Sequence, residues 1–392
     1  MKRVAALSFA LSLLSCGAER PPPDTGGASL PETACGRGVV VVASDYASSS
    51  VALADTSGAI ASESVLSSAS AAAGLGAPLS GDVTAPSSRP PSGRVVLLDR
   101  YPASVVTWVD PETGAVEGQL ALSPGVATNP QDYLELDDQR AYITRYDSAA
   151  SSAVAPLSRG GDVLVVDHRA HAAVRSIALP SEGALLPRPT RLVRAGAFVV
   201  VPLERMDRGF QQAGDGAVVG IDPATDTIAW ALSLPGLASG GGAAVAAAGA
   251  TLVVSCSGRF ADGLAAQRAR AGVAVFDATQ TPPALVAVHR TPAPPSPFVD
   301  LDADGRIVLV TFGDADAGVP DALVRLDPAT GEQRTISTST PFTLGDVRCL
   351  RACDRCLVAD AEAGALLVVD AGGVSRVPAR SRGLPPRYLG RF

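Results

Sequence analysis

The chain has 392 residues, 47% hydrophobic and only 18% charged, with a formal net charge of −7 and 4% aromatic residues. Apart from Lys2, all of its basic side chains are arginine. An acidic balance with so few rings excludes a nucleic-acid surface built on basic patches, and beyond the N-terminus no stretch reaches the ~18 uninterrupted apolar residues of a membrane-spanning helix.

Lys2 and Arg3 precede an apolar run from Val4 to Leu14, and Ser15 and Cys16 follow. A basic head on a hydrophobic core too short to stay in a bilayer predicts a signal peptide over residues 1–15. The run Leu13-Leu-Ser-Cys16 resembles the bacterial lipobox. That resemblance implies removal of the signal, a lipid on Cys16 as the membrane anchor and, with Gly17 next, sorting to the outer membrane, facing the periplasm or the cell surface. Residues 16–38, rich in Pro and Gly, are expected as a flexible linker. The rest, 39–392, is expected to form one domain and to act as a monomer.

Within that domain a short apolar run ends in aspartate seven times, at Asp55, Asp110, Asp167, Asp222, Asp277, Asp327 and Asp370. The intervals are 55, 57, 55, 55, 50 and 43 residues, and Asp110, Asp222 and Asp327 continue as Asp-Pro-x-Thr. Such a period, built from short β-branched runs between turns, predicts an all-β fold: a seven-bladed β-propeller of four-stranded antiparallel blades. The aspartate and the residues after it have turn chemistry, because an Asp side chain accepts N–H groups two residues on and Pro presets φ. Each aspartate therefore ends a third strand, C, and is followed by a fourth, D.

Strand B precedes C, as in Val39-Val-Val-Val-Ala and Thr251-Leu-Val-Val-Ser, and an inner strand A precedes B, as in Asp132-Tyr-Leu-Glu-Leu and Asp346-Val-Arg-Cys-Leu. The first repeat lacks an A strand, whereas Pro385-Pro-Arg-Tyr-Leu-Gly-Arg-Phe392 follows the last D strand. The C-terminus is thus expected to close the ring as the inner strand of blade one, leaving no open sheet edge. Gly-rich insertions at 147–161, 204–216, 258–272 and 313–321 all fall between B and C, and so on one face.

Cys349, Cys353 and Cys356 have the C-x3-C-x2-C spacing of an iron–sulfur motif, but an exported chain favours disulfides. Cys349 and Cys356 flank a hairpin, and Cys35 is expected beside the same hairpin, where a Cys35–Cys353 bond would staple the ring; Cys256 is left over. Asp300, Asp302 and Asp304 begin like a calcium loop or form a hairpin turn, the twelfth position being Thr311 where a glutamate is usual. Asp82, Asp132 and Asp346 start three inner strands, either capping neighbouring N–H groups or, with Asp300, holding Ca²⁺ or another divalent cation in the central channel. His168 and His171 lack a carboxylate partner for zinc, and no catalytic residue is assigned.

The apolar strand, Asp-Pro-x-Thr-Gly turn and outgoing strand over residues 39–392 resemble the YVTN or YncE-like propeller repeats of bacterial secreted and surface proteins. The resemblance implies a binding scaffold and transfers no catalytic residue. The function expected first is therefore a non-enzymatic, envelope-anchored propeller whose insertion face binds an unknown protein, peptide or glycan. The alternative is a periplasmic quinoprotein, lactonase or lyase with a metal or cofactor in the channel. Asp222 to Trp230 resembles a quinoprotein docking repeat once, with Asp226 in place of its glycine.

Overall fold

The computed structural model describes residues 24–392 apart from 152, 247 and 248. The expected signal peptide, Cys16 and the first half of the expected linker lie outside the described residues.

Seven four-stranded antiparallel sheets form the ring. In blade one, Gly38–Ser44, Ser49–Asp55 and Ile60–Ser67 are strands B, C and D, and the inner strand is the C-terminal Pro386–Arg391. Val39 pairs with Arg391 and Val42 with Tyr388, so the two ends of the chain close one sheet. The other blades follow in order, each from its own A strand outward.

No blade has a core of its own. Each of the seven apolar clusters lies between two neighbouring sheets, and the series runs through every neighbouring pair, including seven and one, where Leu357 and Leu366 meet Val39 and Leu389. Strands B and C are therefore covered on both faces, which accounts for their unbroken apolar runs instead of alternation. The outer D strands alternate, as in Thr227–Leu234.

Antiparallel order places the A–B and C–D connections on one face of the disc and the B–C and D–A connections on the other. The C–D turns form as the sequence predicts. The Asp110 carboxylate accepts the N–H groups of Glu112 and Thr113, and Asp327 those of Ala329 and Thr330. Asp55, Asp167, Asp222, Asp277 and Asp370 accept from the residue two places on in the same way. Gly114 and Gly331 take the left-handed position at φ +75° and +76°. Asp226 occupies it in blade four, its carboxylate accepting from the Tyr142 hydroxyl at 2.5 Å.

Residues 24–37, expected as part of the flexible linker, are held against the body instead. Asp24 accepts from Ser64, Ser70 and Arg382, the N–H of Ala28 donates to the Pro111 carbonyl, and Ala28 and Leu30 pack on the core between blades one and two. Residues 24–37 thus run across the rim from the insertion face to the opposite one. There Cys35 bonds Cys353, with Cα atoms 5.8 Å apart, and Cys349 bonds Cys356 across the A–B hairpin of blade seven. Cys256 is buried and free.

Candidate functional site: the channel mouth on the insertion face

The acidic inner strands prove to be clasps between blades. Asp132 is fully buried and accepts the N–H and hydroxyl of Ser87 from blade two and the N–H of Leu192 from blade four. Asp300 accepts the Cys349 N–H and pairs with Arg351 and Arg391; Asp346 accepts the Leu389 N–H and pairs with Arg348. Burial pushes the Asp300 carboxyl upward, but Arg391 and Arg351 outweigh it and hold the group below the usual carboxylate range.

Asp302 accepts the N–H groups of Asp304 and Arg306 and faces Arg325, so Asp300, Asp302 and Asp304 do not converge. Asp82 is paired with Arg100. Among the described residues no three His, Cys, Asp or Glu side chains come together as a metal-ligand set. His171 stacks on Trp108 at 4.7 Å, and His168 faces the Asp137 carbonyl and Arg94, so the two histidines serve different contacts. Trp230 lies over Gly220, where a Cβ would meet it at 2.1 Å, and edges against Phe198. Its role is in packing.

A site missed in the sequence lies at the end of the channel that opens on the insertion face. A cavity of about 420 Å³ is lined from inner strands by Thr84, Gln131, Gly241, Phe298 and Tyr388, and by Arg191 just before the inner strand of blade four. Asn129 and Arg100 add polar groups from connecting segments, and Tyr146, Glu204 and Phe210 close the side where blades three and four carry their insertions.

Arg100 donates to Asp82 at 2.9 Å and to the Tyr388 hydroxyl at 2.6 Å, while its guanidinium lies 4.7 Å from the centre of that ring. Arg191 approaches Asp346 at 3.5 Å. The Tyr146 hydroxyl donates to Glu204 at 2.6 Å, the Tyr146 and Phe210 rings stack at 6.4 Å, and the Arg188 guanidinium lies against both rings at 4.8 and 4.0 Å. Burial raises the Glu204 carboxyl above its ordinary value against the opposing pull of Tyr146 and Arg188. The mouth therefore presents guanidinium, amide and phenol donors between flat rings, with its carboxylates already engaged.

No family model and no curated relative matches the chain. Solved propellers do resemble it in shape. The periplasmic gluconolactonase PpgL of Pseudomonas aeruginosa superposes with a TM-score of 0.57 at 16% identity, covering 90% of this chain and 98% of its own. The β-propeller domain of Cps50 (Swd1) from Myceliophthora thermophila gives 0.58 at 11% identity over 88% and 97%. Catalytically inactive virginiamycin B lyase of Staphylococcus aureus, solved with quinupristin, gives 0.53 at 10% over 78% and 88%. At these identities the likeness establishes the fold, which proteins of different roles share.

Proposed function

We propose that this propeller is a non-enzymatic binding protein of the cell envelope, anchored to the outer membrane through a lipid on Cys16, with its recognition site at the channel mouth of the insertion face. The ligand is a glycan or peptide group rich in acceptors, such as a carboxylate-bearing end. One observation carries this reading: donors and rings from separate blades, Arg100, Gln131, Arg191, Phe298 and Tyr388, converge on one cavity. Planar guanidinium groups suit carboxylates, and ring faces suit the apolar faces of sugars or side chains.

A second reading, a lactonase or lyase, is favoured by Glu204. A carboxyl in a cavity wall with a raised pKa, oriented by a tyrosine, has the properties of a general acid or base. Lactonase and lyase propellers share the fold.

The test is a melting-temperature screen of lactones, sugar acids, glycans and peptides at several pH values, with turnover followed in parallel. The binding reading expects a stabilising ligand that is recovered unchanged, with affinity falling at least roughly tenfold in Arg191→Ala, as for loss of one charged hydrogen bond. Turnover abolished by Glu204→Gln would establish the enzyme instead. The same series reads Glu204 directly. Its raised folded pKa means that its contribution to stability is complete below the ordinary value of 4.5 and is lost as pH rises through the folded value. Glu204→Gln should flatten that part of the profile.

A further inference from the structure

Among the described residues the exposed aromatic side chains are Tyr46, Tyr101, Phe210, Phe260 and Phe342, between 45% and 59% exposed. All five lie in B–C or D–A connections, so all five are on the insertion face, and they come from around the ring: blades one, two, four and five and the junction of six and seven. Leu157 adds an exposed apolar tip from the insertion of blade three. The opposite face has none of the exposed rings.

The backbone makes this display harder to dismiss as leftover surface. Tyr46, Phe210 and Phe342 have φ of +67°, +57° and +62°, a left-handed conformation that bulky residues rarely adopt. Each ring is braced on one side and open on the other. Arg387 lies 5.0 Å from the Tyr46 ring centre, Arg188 stacks on Phe210, and Phe342 leans on Phe312 at 6.0 Å. Phe260 and Phe342 lean on one another at 6.3 Å, Phe210 lines the cavity wall, and Arg387 lies over Tyr46 while donating to the Phe342 carbonyl, so these tips form a connected apolar rim around the mouth. A flat partner can touch all of them at once.

The chain path says which flat partner. Asp24 is held by Ser70, by Ser64 and by Arg382 at 2.8 Å, beside the D–A end of blade one on this same face. Cys16 lies eight positions before Asp24, a reach of at most about 29 Å. A lipid on Cys16 therefore draws the insertion face toward its own membrane.

We propose that the insertion face docks on the bilayer that carries the Cys16 anchor, with the aromatic loop tips seated at the level of the lipid headgroups. Rings with arginine beside them suit that layer, where one end of a side chain is apolar and the other wet. This rests on the reading of Cys16 as the lipid attachment site and deepens the proposed function: the channel mouth opens onto the headgroup layer, so its ligand is one that the membrane presents.

The test uses the full chain, purified from a host that processes lipoproteins and placed on phosphatidylethanolamine–phosphatidylglycerol vesicles brominated in the upper acyl chain. Phe210→Trp and Phe342→Trp report from the insertion face, and Val374→Trp from an exposed site at the opposite face; Trp108 and Trp230 are a background common to all three. The expected result is loss of emission at 210 and 342 and none at 374. Quenching at 374, or none at 210 and 342, overturns the proposal. The intact mass separately decides whether Cys16 carries acyl chains, and without them quenching at 210 and 342 still establishes the docking face. In the same assay without a lipid anchor, each of Phe210→Ser, Phe260→Ser and Phe342→Ser is expected to lower vesicle partition roughly three- to tenfold.

Discussion

The two faces of the disc are cut from the same repeat and are built to opposite rules. On the C–D side, seven short turns each end a buried strand with an aspartate that satisfies backbone N–H groups two to three residues on, and left-handed positions fall on glycines such as Gly114 and Gly331 or on the polar Asp226 and His171. On the insertion side the loops vary in length, left-handed positions include the bulky Tyr46, Phe210 and Phe342 as well as glycines, and the exposed rings surround a cavity lined by arginines. The architecture is secured on one face and in the inner ring, which leaves the other face free to vary. Backbone strain is tolerated there because the clasps elsewhere hold the ring.

The comparison can be broken most severely at the closure. Deleting residues 384–392 removes the inner strand of blade one together with Tyr388, Leu389 and Phe392, all buried, and opens an edge on Val39–Ala43. Loss of the cooperative melt, followed by circular dichroism, is expected. An unchanged melting temperature would mean that the ring does not depend on its closure.

A smaller change separates the inner ring from the outer turns. Asp132→Ala leaves the N–H groups of Ser87 and Leu192 without their acceptor at a fully buried position and should cost about 3 kcal/mol in denaturant unfolding. Asp327→Ala, at an exposed turn, should cost about 1 kcal/mol or less. Equal costs would contradict the division of labour between clasp and turn.

What could be read in advance follows the same division. The repeating aspartates, the apolar B and C strands and the closure by Pro385–Phe392 were legible because each is a local pattern repeated at a fixed interval. The Cys35–Cys353 staple followed once the ring was drawn. The channel mouth was not legible: Arg100 comes from blade two, Arg191 and Glu204 from blade four and Tyr388 from blade one, far apart in the chain, and only the ring brings them together. Asp132, Asp300 and Asp346 were visible as an acidic set, but sequence could not tell whether they face one another or neighbouring N–H groups. The aromatic tips left a weak signal, since Phe210 and Phe260 stand in Gly-rich insertions where a large ring has no core to join.

Hydrogen exchange on the lipidated chain, compared between detergent and phosphatidylethanolamine–phosphatidylglycerol vesicles, tests the contrast between the faces most directly. The expected result is slowed exchange around Tyr46, Tyr101, Phe210, Phe260 and Phe342, with the turns after Asp110, Asp222 and Asp327 unchanged. Protection confined to those turns or to the outer D strands would contradict the account.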